Sequence, residues 1–363
     1  MQLIISRLLA SFLAVLTVAA SAPVLAAYVF QSIDYPNPET ATTQTFPMNS
    51  AGQIVGTAYR FDGSFITSFS YDFWSKGFTS ISTSPLQGGQ LIGVNDAGTM
   101  VGNTGDGCIA PETPFIRSSG KKPTYAQFSI PGYANAEARA IGNNGLVSGF
   151  AYNIDNLATC IADGFADIVD TIGFIYDPVS HALTTFLASP LTIAQGINIH
   201  GQVVGSVALD DGVACPTCAA GRYGFSRAAG GAITYFRVNG VGTTARGIND
   251  SGLITGYIPP GLGFVVTLAG SPSYQAITVP AAQLFSVPGA VGGTFPESIT
   301  NGGEIVGDWM DAAMDGHGFT ATPPTIATSK DACKGGGWQS LTRLDGSTFK
   351  NQGDCVSYTN NGK

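Results

Sequence analysis

The stretch Gly247-Ile248-Asn249-Asp250-Ser251-Gly252-Leu253-Ile254-Thr255-Gly256 has the pattern of a β-hairpin. The Asn side chain can accept hydrogen bonds from its own backbone in an Asx-turn, and a glycine tolerates the positive φ needed at the exit. Ile248, Leu253 and Ile254 supply the apolar side chains expected of two half-buried strands. The stretch therefore predicts two short antiparallel strands joined by a tight turn.

The same pattern occurs six times, and this recurrence decides the fold. The positions equivalent to Asn249 are spaced by 46, 47, 56, 51 and 51 residues, and they are occupied by Asn49, Asn95, Gly142, Asn198, Asn249 and Thr300. Each hairpin is followed by a third predicted strand centred on a phenylalanine: Phe69, Phe115, Phe174, Phe225, Phe264 and Phe319. Five of the six copies then have a fourth predicted strand before the next hairpin.

The sixth fourth strand is found at the other end of the repeat region, at Tyr28 to Ile33. Six four-stranded repeats of about 50 residues are typical of a β-propeller. We therefore predict an all-β, six-bladed propeller closed by this N-terminal strand, which would pair beside Phe319 and leave the last blade without a free edge. An open solenoid is the alternative, but it would need capping repeats and would gain nothing from the displaced strand.

The Gly-Ile-Asn-x-x-Gly-x-Ile-Val-Gly copies followed by Gly-Phe resemble the bacterial extracellular repeats called the HAF family. The resemblance covers about Tyr28 to Thr322, and it implies an extracellular repeat protein without an assigned activity or catalytic residues. Copy three departs from the pattern, because Gly142 replaces the Asn and Ser148 replaces the second Val. The neighbouring run Asn143-Asn144-Gly145 still offers turn-forming residues.

Four regions are predicted along the chain: a signal peptide at 1–26, the propeller at 27–322, a linker at 323–329 and a small module at 330–363. The first region has Arg7, an apolar run and the small-residue pattern Val24-Leu25-Ala26, which favours cleavage over a membrane anchor. The protein is then expected in the periplasm or outside the cell, as a monomer without a membrane anchor. The last module resembles a short terminal module of some secreted bacterial proteins, which has no assigned role.

Composition excludes several classes of function. The chain has a formal net charge of −8, which becomes −9 once Arg7 is removed, so it is not expected to bind nucleic acid or an anionic membrane. Charged residues make up only 11% of the chain while there are 48 glycines, as expected for a tight β protein with many turns. The sequence contains no zinc-protease, nucleophile-elbow or phosphate-loop motif. His181, His200 and His317 are interpreted as a residue before a fourth strand, a turn residue and a loop residue.

The six cysteines are interpreted as three disulfides because the chain is predicted to be exported. The expected pairs are Cys108–Cys160, Cys215–Cys218 and Cys333–Cys355. The Cys215-Pro216-Thr217-Cys218 spacing also occurs in redox and zinc sites. A zinc site would need Cys108 and Cys160 as further ligands, and no metal site is predicted.

Acidic residues cluster between the second and third strands of several repeats: Asp163, Asp167, Asp170, Asp210, Asp211, Asp308, Asp311 and Asp315. Such loops could hold Ca²⁺ or flank a glycosidic bond, but they lack the spacing of a calcium loop, and a solvated acidic loop is the simpler interpretation. No cofactor is predicted.

One polar set is aligned across the repeats. Arg139, Gln195, Arg246 and Glu297 each lie two residues before the apolar position that opens a hairpin, so a ring would place them at equal depth near its axis, on the face of the second-to-third loops. They are predicted either to bind a sugar or another small polar ligand, or to pair with one another, Arg246 with Glu297 first.

The predicted function is a non-catalytic binding propeller for an extracellular polysaccharide or protein. The alternatives are a carbohydrate-active hydrolase or lyase that uses loop carboxylates, and a structural surface or matrix component.

Overall fold

The computed structural model describes residues 15–18, 28–83, 86, 88–154, 168–189, 191–209, 220–269, 273–280, 293–323, 325–339, 341–343 and 349–360. Cys160, Cys215 and Cys218 lie outside this part of the chain, as do Asp163, Asp167, Asp210 and Asp211. Of the predicted signal peptide only β1 (Val15–Val18) is described, and it pairs in parallel with the strand Ile233–Val238. Its cleavage stays a prediction.

The chain folds into antiparallel four-stranded units, as the repeat predicts. Units 1 to 3 consist of β3 (Thr42–Met48), β4 (Gln53–Tyr59), β5 (Phe65–Asp72) and β6 (Gly77–Ile81); β7 (Gln90–Val94), β8 (Met100–Thr104), β9 (Thr113–Arg117) and β10 (Tyr125–Gln127); and β11 (Asn135–Ile141), β12 (Val147–Ile154), β13 (Ile168–Tyr176) and β14 (Leu183–Phe186). Units 4 and 5 consist of β15 (Leu191–Ile197), β16 (Val203–Leu209), β17 (Gly221–Arg227) and β18 (Ile233–Val238); and β19 (Thr244–Ile248), β20 (Ile254–Ile258), β21 (Leu262–Thr267) and β22 (Ser273–Ile277).

Unit 6 combines the two ends of the repeat region. It contains β23 (Thr294–Ile299), β24 (Ile305–Met310), β25 (Gly316–Thr322) and, as its fourth strand, β2 (Val29–Ile33). The predicted pairing beside Phe319 is observed, with Ser32 opposite Phe319 and Ile33 opposite Gly318. The first strand of each unit contacts the first strand of the next, and β23 of unit 6 contacts β3 of unit 1.

A glycine and a phenylalanine face each other in every unit, which explains why both recur. The glycine of the second strand stands directly opposite the phenylalanine of the third, as in the pairs Gly56–Phe69, Gly102–Phe115, Gly149–Phe174, Gly205–Phe225, Gly256–Phe264 and Gly307–Phe319. A Cβ at Gly56 would approach the Phe69 ring to 2.3 Å. The missing side chain lets the ring cover the strand, and all six rings are buried.

The Asn turns hold neighbouring units together as well as forming hairpins. The Oδ1 atom of Asn249 accepts hydrogen bonds from the backbone of Ser251 and Leu253 at 3.1 and 2.9 Å, as an Asx-turn requires. Its Nδ2 atom donates to the Thr300 carbonyl of the next unit at 3.0 Å. The same bond to the following unit occurs at Asn49, Asn95 and Asn198.

In unit 3 a different residue makes the hydrogen bond to the next unit. Gly142 has no side chain to donate, but the Nδ2 atom of Asn144 donates to the Ile199 carbonyl of unit 4 at 2.9 Å. A Cβ at position 142 would lie 2.7 Å from Asn144 Oδ1, so the glycine makes room for this substitute. The departure from the repeat in copy three therefore preserves the connection between units.

A small module follows the last unit. It contains β26 (Thr325–Ile326) paired in parallel with β27 (Leu341–Thr342), a 3-10 helix at Gly337–Gln339 and helix α1 (Gln352–Asn360). Cys333 and Cys355 form the predicted disulfide and are fully buried. Cys108 is also disulfide-bonded, and its partner lies outside the described residues. None of the described helices is long and apolar enough to span a membrane.

Candidate functional site

Each first strand contains a β-bulge at the same place. The pairing register of β11 shifts between Ala138 and Ala140, so that Arg139 is left without a partner on β12. Equivalent shifts occur in the other five first strands. They fall at the position three residues before the Asn-equivalent residue, which is occupied by Phe46, Ile92, Arg139, Gln195, Arg246 and Glu297. A bulge redirects side chains, and it turns these six toward a common cavity.

The cavity has a volume of about 340 Å³ and is built almost entirely from the first strands and the Asn turns. Beside the six bulge residues lies a second ring, which is wholly apolar: Met48, Val94, Ile141, Ile197, Ile248 and Ile299. The mouth carries Asp96, Asp250 and Glu304 together with the aromatic residues Phe73 and Trp74. Trp74 is 71% exposed, and its indole N–H donates to the Ala51 carbonyl at 3.2 Å.

All four aligned polar residues line this cavity, but it opens on the face of the Asn turns. From the sequence these residues are predicted on the face of the second-to-third loops, and that prediction is wrong. Residues of these loops are absent from the described lining of the cavity. The reason is the bulge, since it changes the direction of a side chain in a way that simple strand alternation does not predict.

The polar residues pair with one another to different extents. Arg139 donates to Gln195 Oε1 and to Glu137 Oε2, each at 2.8 Å, so its guanidinium is well held. Arg246 lies 3.5 Å from Glu297, a long separation for an ion pair, and stands over the Tyr257 ring at 5.5 Å. Arg246 is thus the less completely bonded of the two arginines.

Two buried polar atoms in the cavity wall have no hydrogen-bond partner among the described residues. These are Nε of Arg246 and Oγ of Ser298, which belong to units 5 and 6. A buried polar atom without a partner costs about 1–3 kcal/mol, so such atoms call for an explanation. A polar ligand that bonds to both atoms would remove this cost.

Two further carboxyl groups, those of Glu112 and Glu137, lie close to the same residues. Neither was among the site residues predicted from the sequence. Tyr152 donates to Glu112 Oε2 at 2.8 Å. Burial, together with the nearby Glu137 carboxylate, raises the pKa of Glu112 to about 9. Glu112 therefore keeps its proton near neutral pH. Only distant strand pairings bring these two carboxyl groups together, so no local motif could have revealed them.

Three residues assigned to loops lie in strands. Asp308 belongs to β24, Asp170 to β13 and His317 to β25, whereas Asp311 and Asp315 do lie between strands. Burial, with the Glu297 charge adding to it, raises the pKa of Asp308 well above its ordinary value. The loop assignment failed because the second and third strands of unit 6 and the third strand of unit 3 are longer than the repeat pattern suggested.

His317 connects unit 6 to the segment that follows β2. Its Nδ1 atom lies 2.6 Å from Asp34 Oδ1, and its ring stacks on Trp309 with 4.4 Å between centroids. Its Nε2 atom is 3.7 Å from Asp311 Oδ2. Groups of three or more His, Cys, Asp or Glu side chains able to hold a metal ion are not found in the described ranges.

We expect replacement of Glu112 by Gln to change how stability depends on pH. In the folded chain Glu112 keeps its proton up to about pH 9, whereas in the unfolded chain it loses it near 4.5. The unfolded state binds fewer protons between these values, so the free energy of unfolding of the unmodified chain falls as pH rises, by at most about 1.4 kcal/mol per pH unit. Glu112→Gln removes this slope.

Urea unfolding between pH 5 and pH 9 measures this difference. The Glu112→Gln variant should gain stability relative to the unmodified chain as pH increases, while the exposed replacement Glu39→Gln should leave the slope unchanged. Parallel stability curves for the Glu112→Gln variant and the unmodified chain would show that Glu112 is ionised in the folded state.

Comparisons with known proteins give structural neighbours alone. No family model matches the chain, and no curated protein matches it. A solved structure of a putative gluconolactonase is similar with a TM-score of 0.48 and 11% identity, over 82% of this chain and 93% of that one. The β-propeller domain of the Trilobed protease from Pyrococcus furiosus gives a TM-score of 0.42 and 10% identity, over 74% and 80%. The calcium-binding protein regucalcin from Agrobacterium tumefaciens gives 0.42 and 12%, over 84% and 94%.

Proposed function

We propose that the six units form a six-bladed β-propeller, closed by β2, that binds carbohydrate in the axial cavity on the face of the Asn turns. The cycle of contacts between first strands, from unit 1 through unit 6 and back to unit 1, supports the ring. The pairing of β2 with β25 supports its closure. The predicted leader and the disulfides fit a protein that works in the periplasm or outside the cell.

The main support for ligand binding is a pair of buried atoms in the cavity wall, Arg246 Nε and Ser298 Oγ, which have no hydrogen-bond partner among the described residues. The Arg atom can only donate a hydrogen bond, whereas the Ser hydroxyl both donates and accepts. A sugar hydroxyl can likewise do both. It can accept from Arg246 and at the same time donate to the carboxylate of Glu297, because these two side chains lie side by side, 3.5 Å apart. A polyhydroxylated ligand therefore matches the mixture of donors and acceptors.

The cavity is also unequal on its two sides. At the bulge position, units 1 and 2 contribute Phe46 and Ile92, while units 3 to 6 contribute the four polar residues. Phe73 and Trp74, which belong to unit 1, extend the apolar side to the mouth. A pyranose ring has one face of C–H groups and an edge of hydroxyls, so it can contact both sides at once. The volume of about 340 Å³ is at the lower end of the range for small-molecule sites.

An enzyme remains the second candidate because of Glu112 and Glu137. A buried carboxyl group that keeps its proton near neutral pH, as Glu112 does, is a candidate general acid. Glu112 is held by Tyr152 and Glu137 by Arg139, so both positions are fixed. Release of sugar products from a polysaccharide, and loss of that release in Glu112→Gln, would support this alternative over binding alone.

Calorimetric titration with a panel of mono- and oligosaccharides tests the binding proposal. We expect saturable binding at one site per chain, weakened at least about tenfold by Ser298→Ala and by Arg246→Met. Ser298→Ala removes a buried hydroxyl that has no partner, so it should leave the thermal midpoint unchanged or raise it. Thr79→Ala, on an outer strand, is the matched control and should bind normally.

Two results would contradict the proposal. One is the lack of saturable binding to every sugar in the panel. The other is binding whose affinity is unaffected by both cavity variants, because the sugar would then occupy another part of the surface.

A further inference from the structure

The axial cavity has more carboxylates than cationic groups in its wall. The carboxylates are those of Asp96, Asp250, Glu297 and Glu304, and the cationic groups are the guanidinium groups of Arg139 and Arg246. Arg139 is already paired with a further carboxylate, that of Glu137, at 2.8 Å. Because the wall is apolar on one side, this excess of negative charge attracts cations into the cavity.

The three carboxylates at the mouth have neutral partners. Asp96 Oδ1 accepts from the Ser50 backbone at 2.6 Å and Asp250 Oδ1 from the Ile199 backbone at 2.9 Å. Side-chain amides of Asn143 and Asn301 donate to the second oxygens of Asp96 and Asp250. Glu304 accepts from the Thr300 hydroxyl. Ion pairs to these three carboxylates are not found among the described residues, so their charge is not neutralised by the chain.

A separate observation places a polar ligand in the same wall. Ser298 is 8% exposed, lines the cavity beside Glu297, and its Oγ atom lacks a partner among the described residues. A hydroxyl oxygen can accept a hydrogen bond from an ammonium group, and a primary ammonium has three donors to distribute. Among the residues that the structure describes, the one cation near Glu297 is Arg246, at the long separation of 3.5 Å.

We propose that the cavity selects an amino sugar whose primary ammonium lies against Glu297 and Ser298 while its hydroxyls accept hydrogen bonds from Arg246. This inference rests on the proposed carbohydrate-binding function and narrows its ligand. The carboxylates of the mouth attract the cation, and Glu297 fixes its position. The exposed Trp74 ring offers an aromatic face beside the entry path, which also favours a cation.

The carboxyl group of Asp308 provides a second way to detect binding of the proposed ligand, through a change in its protonation. Burial, with a contribution from Glu297, raises the pKa of the Asp308 carboxyl group. An ammonium beside Glu297 screens that carboxylate and favours ionisation of Asp308. At a pH below this raised pKa, binding of glucosamine should therefore release protons, and the measured binding enthalpy should depend on the ionisation enthalpy of the buffer.

The experiment compares three sugars that differ at one position: glucosamine, glucose and N-acetylglucosamine. We expect glucosamine to bind about tenfold more tightly than the two neutral sugars at low salt, since hydrogen bonds to charged groups are the stronger ones. The preference should shrink in high salt and in Glu297→Gln. Glu304→Gln, at the mouth, provides a second variant if Glu297→Gln does not fold. Glu39→Gln, an exposed acidic residue outside the cavity, is the matched control and should keep the full preference.

The outcomes separate this inference from the function on which it rests. Equal affinity for glucosamine and glucose would overturn the amino-sugar inference and leave carbohydrate binding standing. Failure of all three sugars, with binding of a simple polyamine such as spermidine instead, would overturn both. A glucosamine preference that survives unchanged in both Glu297→Gln and Glu304→Gln would also overturn the inference.

Discussion

Removal of residues 28–35 is expected to unfold the whole sheet region instead of loosening unit 6 alone. These residues include β2, which supplies the fourth strand of unit 6, and Asp34, which contacts His317. Ile33 is 1% exposed and packs in one cluster with Val306 of unit 6 and Phe69 of unit 1. The deletion therefore exposes the edge of β25 and also removes contacts that join the first and last units.

Thermal unfolding followed by circular dichroism measures this effect. The deletion should lower the midpoint by more than about 10 °C or abolish the cooperative transition. A milder pair of variants identifies the cause. Ile33→Ala should cost about 3 kcal/mol because it leaves a cavity in the core, while Val29→Ala, at a position 61% exposed in the same strand, should cost less than about 0.5 kcal/mol. A deleted chain that unfolds at the midpoint of the full chain would contradict the role given to β2.

Asn249→Ala is expected to be the most damaging single replacement in the turns, with a loss of about 3 kcal/mol. Asn249 is 3% exposed, and its side chain bonds to its own turn and to the next unit. Alanine removes the acceptor of the Ser251 and Leu253 N–H groups and also the donor to the Thr300 carbonyl, which keeps only the hydrogen bond from the Gly303 N–H. Urea unfolding gives the change in free energy.

Asn249→Asp separates the two roles of this side chain. The carboxylate keeps the acceptor for the turn but cannot donate to the Thr300 carbonyl, so the loss it causes measures the contact between units. Ser251→Ala, which removes a neighbouring hydroxyl bonded to Asn249 Oδ1 at 2.9 Å, serves as the control and should cost about 1 kcal/mol or less. Full stability in Asn249→Asp would show that the bond between units contributes nothing.

The strands could be predicted from the sequence because each hairpin is determined by a short local pattern of residues, and that pattern is repeated. Six copies of one hairpin pattern give six chances to recognise it, and the displaced strand at Tyr28 to Ile33 follows from counting strands. The N-terminal strand, for example, was predicted at Tyr28 to Ile33 and is observed at Val29–Ile33. The glycine opposite each phenylalanine also has a local sequence signature.

The site was only partly predictable because it depends on contacts between units. The alignment of Arg139, Gln195, Arg246 and Glu297 was visible in the sequence, but the bulge that turns them toward the Asn turns was not. A bulge depends on the pairing register of two strands, which the residue pattern of one strand does not determine. The predicted contact of Arg246 with Glu297 is present. Whether these residues bind a ligand stays a prediction.

Contacts between units also explain the second role of the recurring Asn. The sequence predicts that the Asn249 side chain accepts hydrogen bonds from its own turn, and this prediction is confirmed. Its bond to the next unit depends on how adjacent units stand against each other, which no single repeat reveals. In unit 3 the Asn-equivalent position is Gly142, and Asn144 makes the hydrogen bond to the next unit instead. The contact between units is therefore kept even though the residue that makes it has moved by two positions.

A crystal structure of the chain with bound glucosamine, at a concentration shown by calorimetry to saturate the site, would locate the ligand. We expect one sugar in the cavity on the face of the Asn turns, with a hydroxyl within hydrogen-bond distance of Arg246 Nε and the ammonium within hydrogen-bond distance of Glu297 and Ser298. A sugar bound on the face of the second-to-third loops, with the axial cavity left to water, would contradict this expectation.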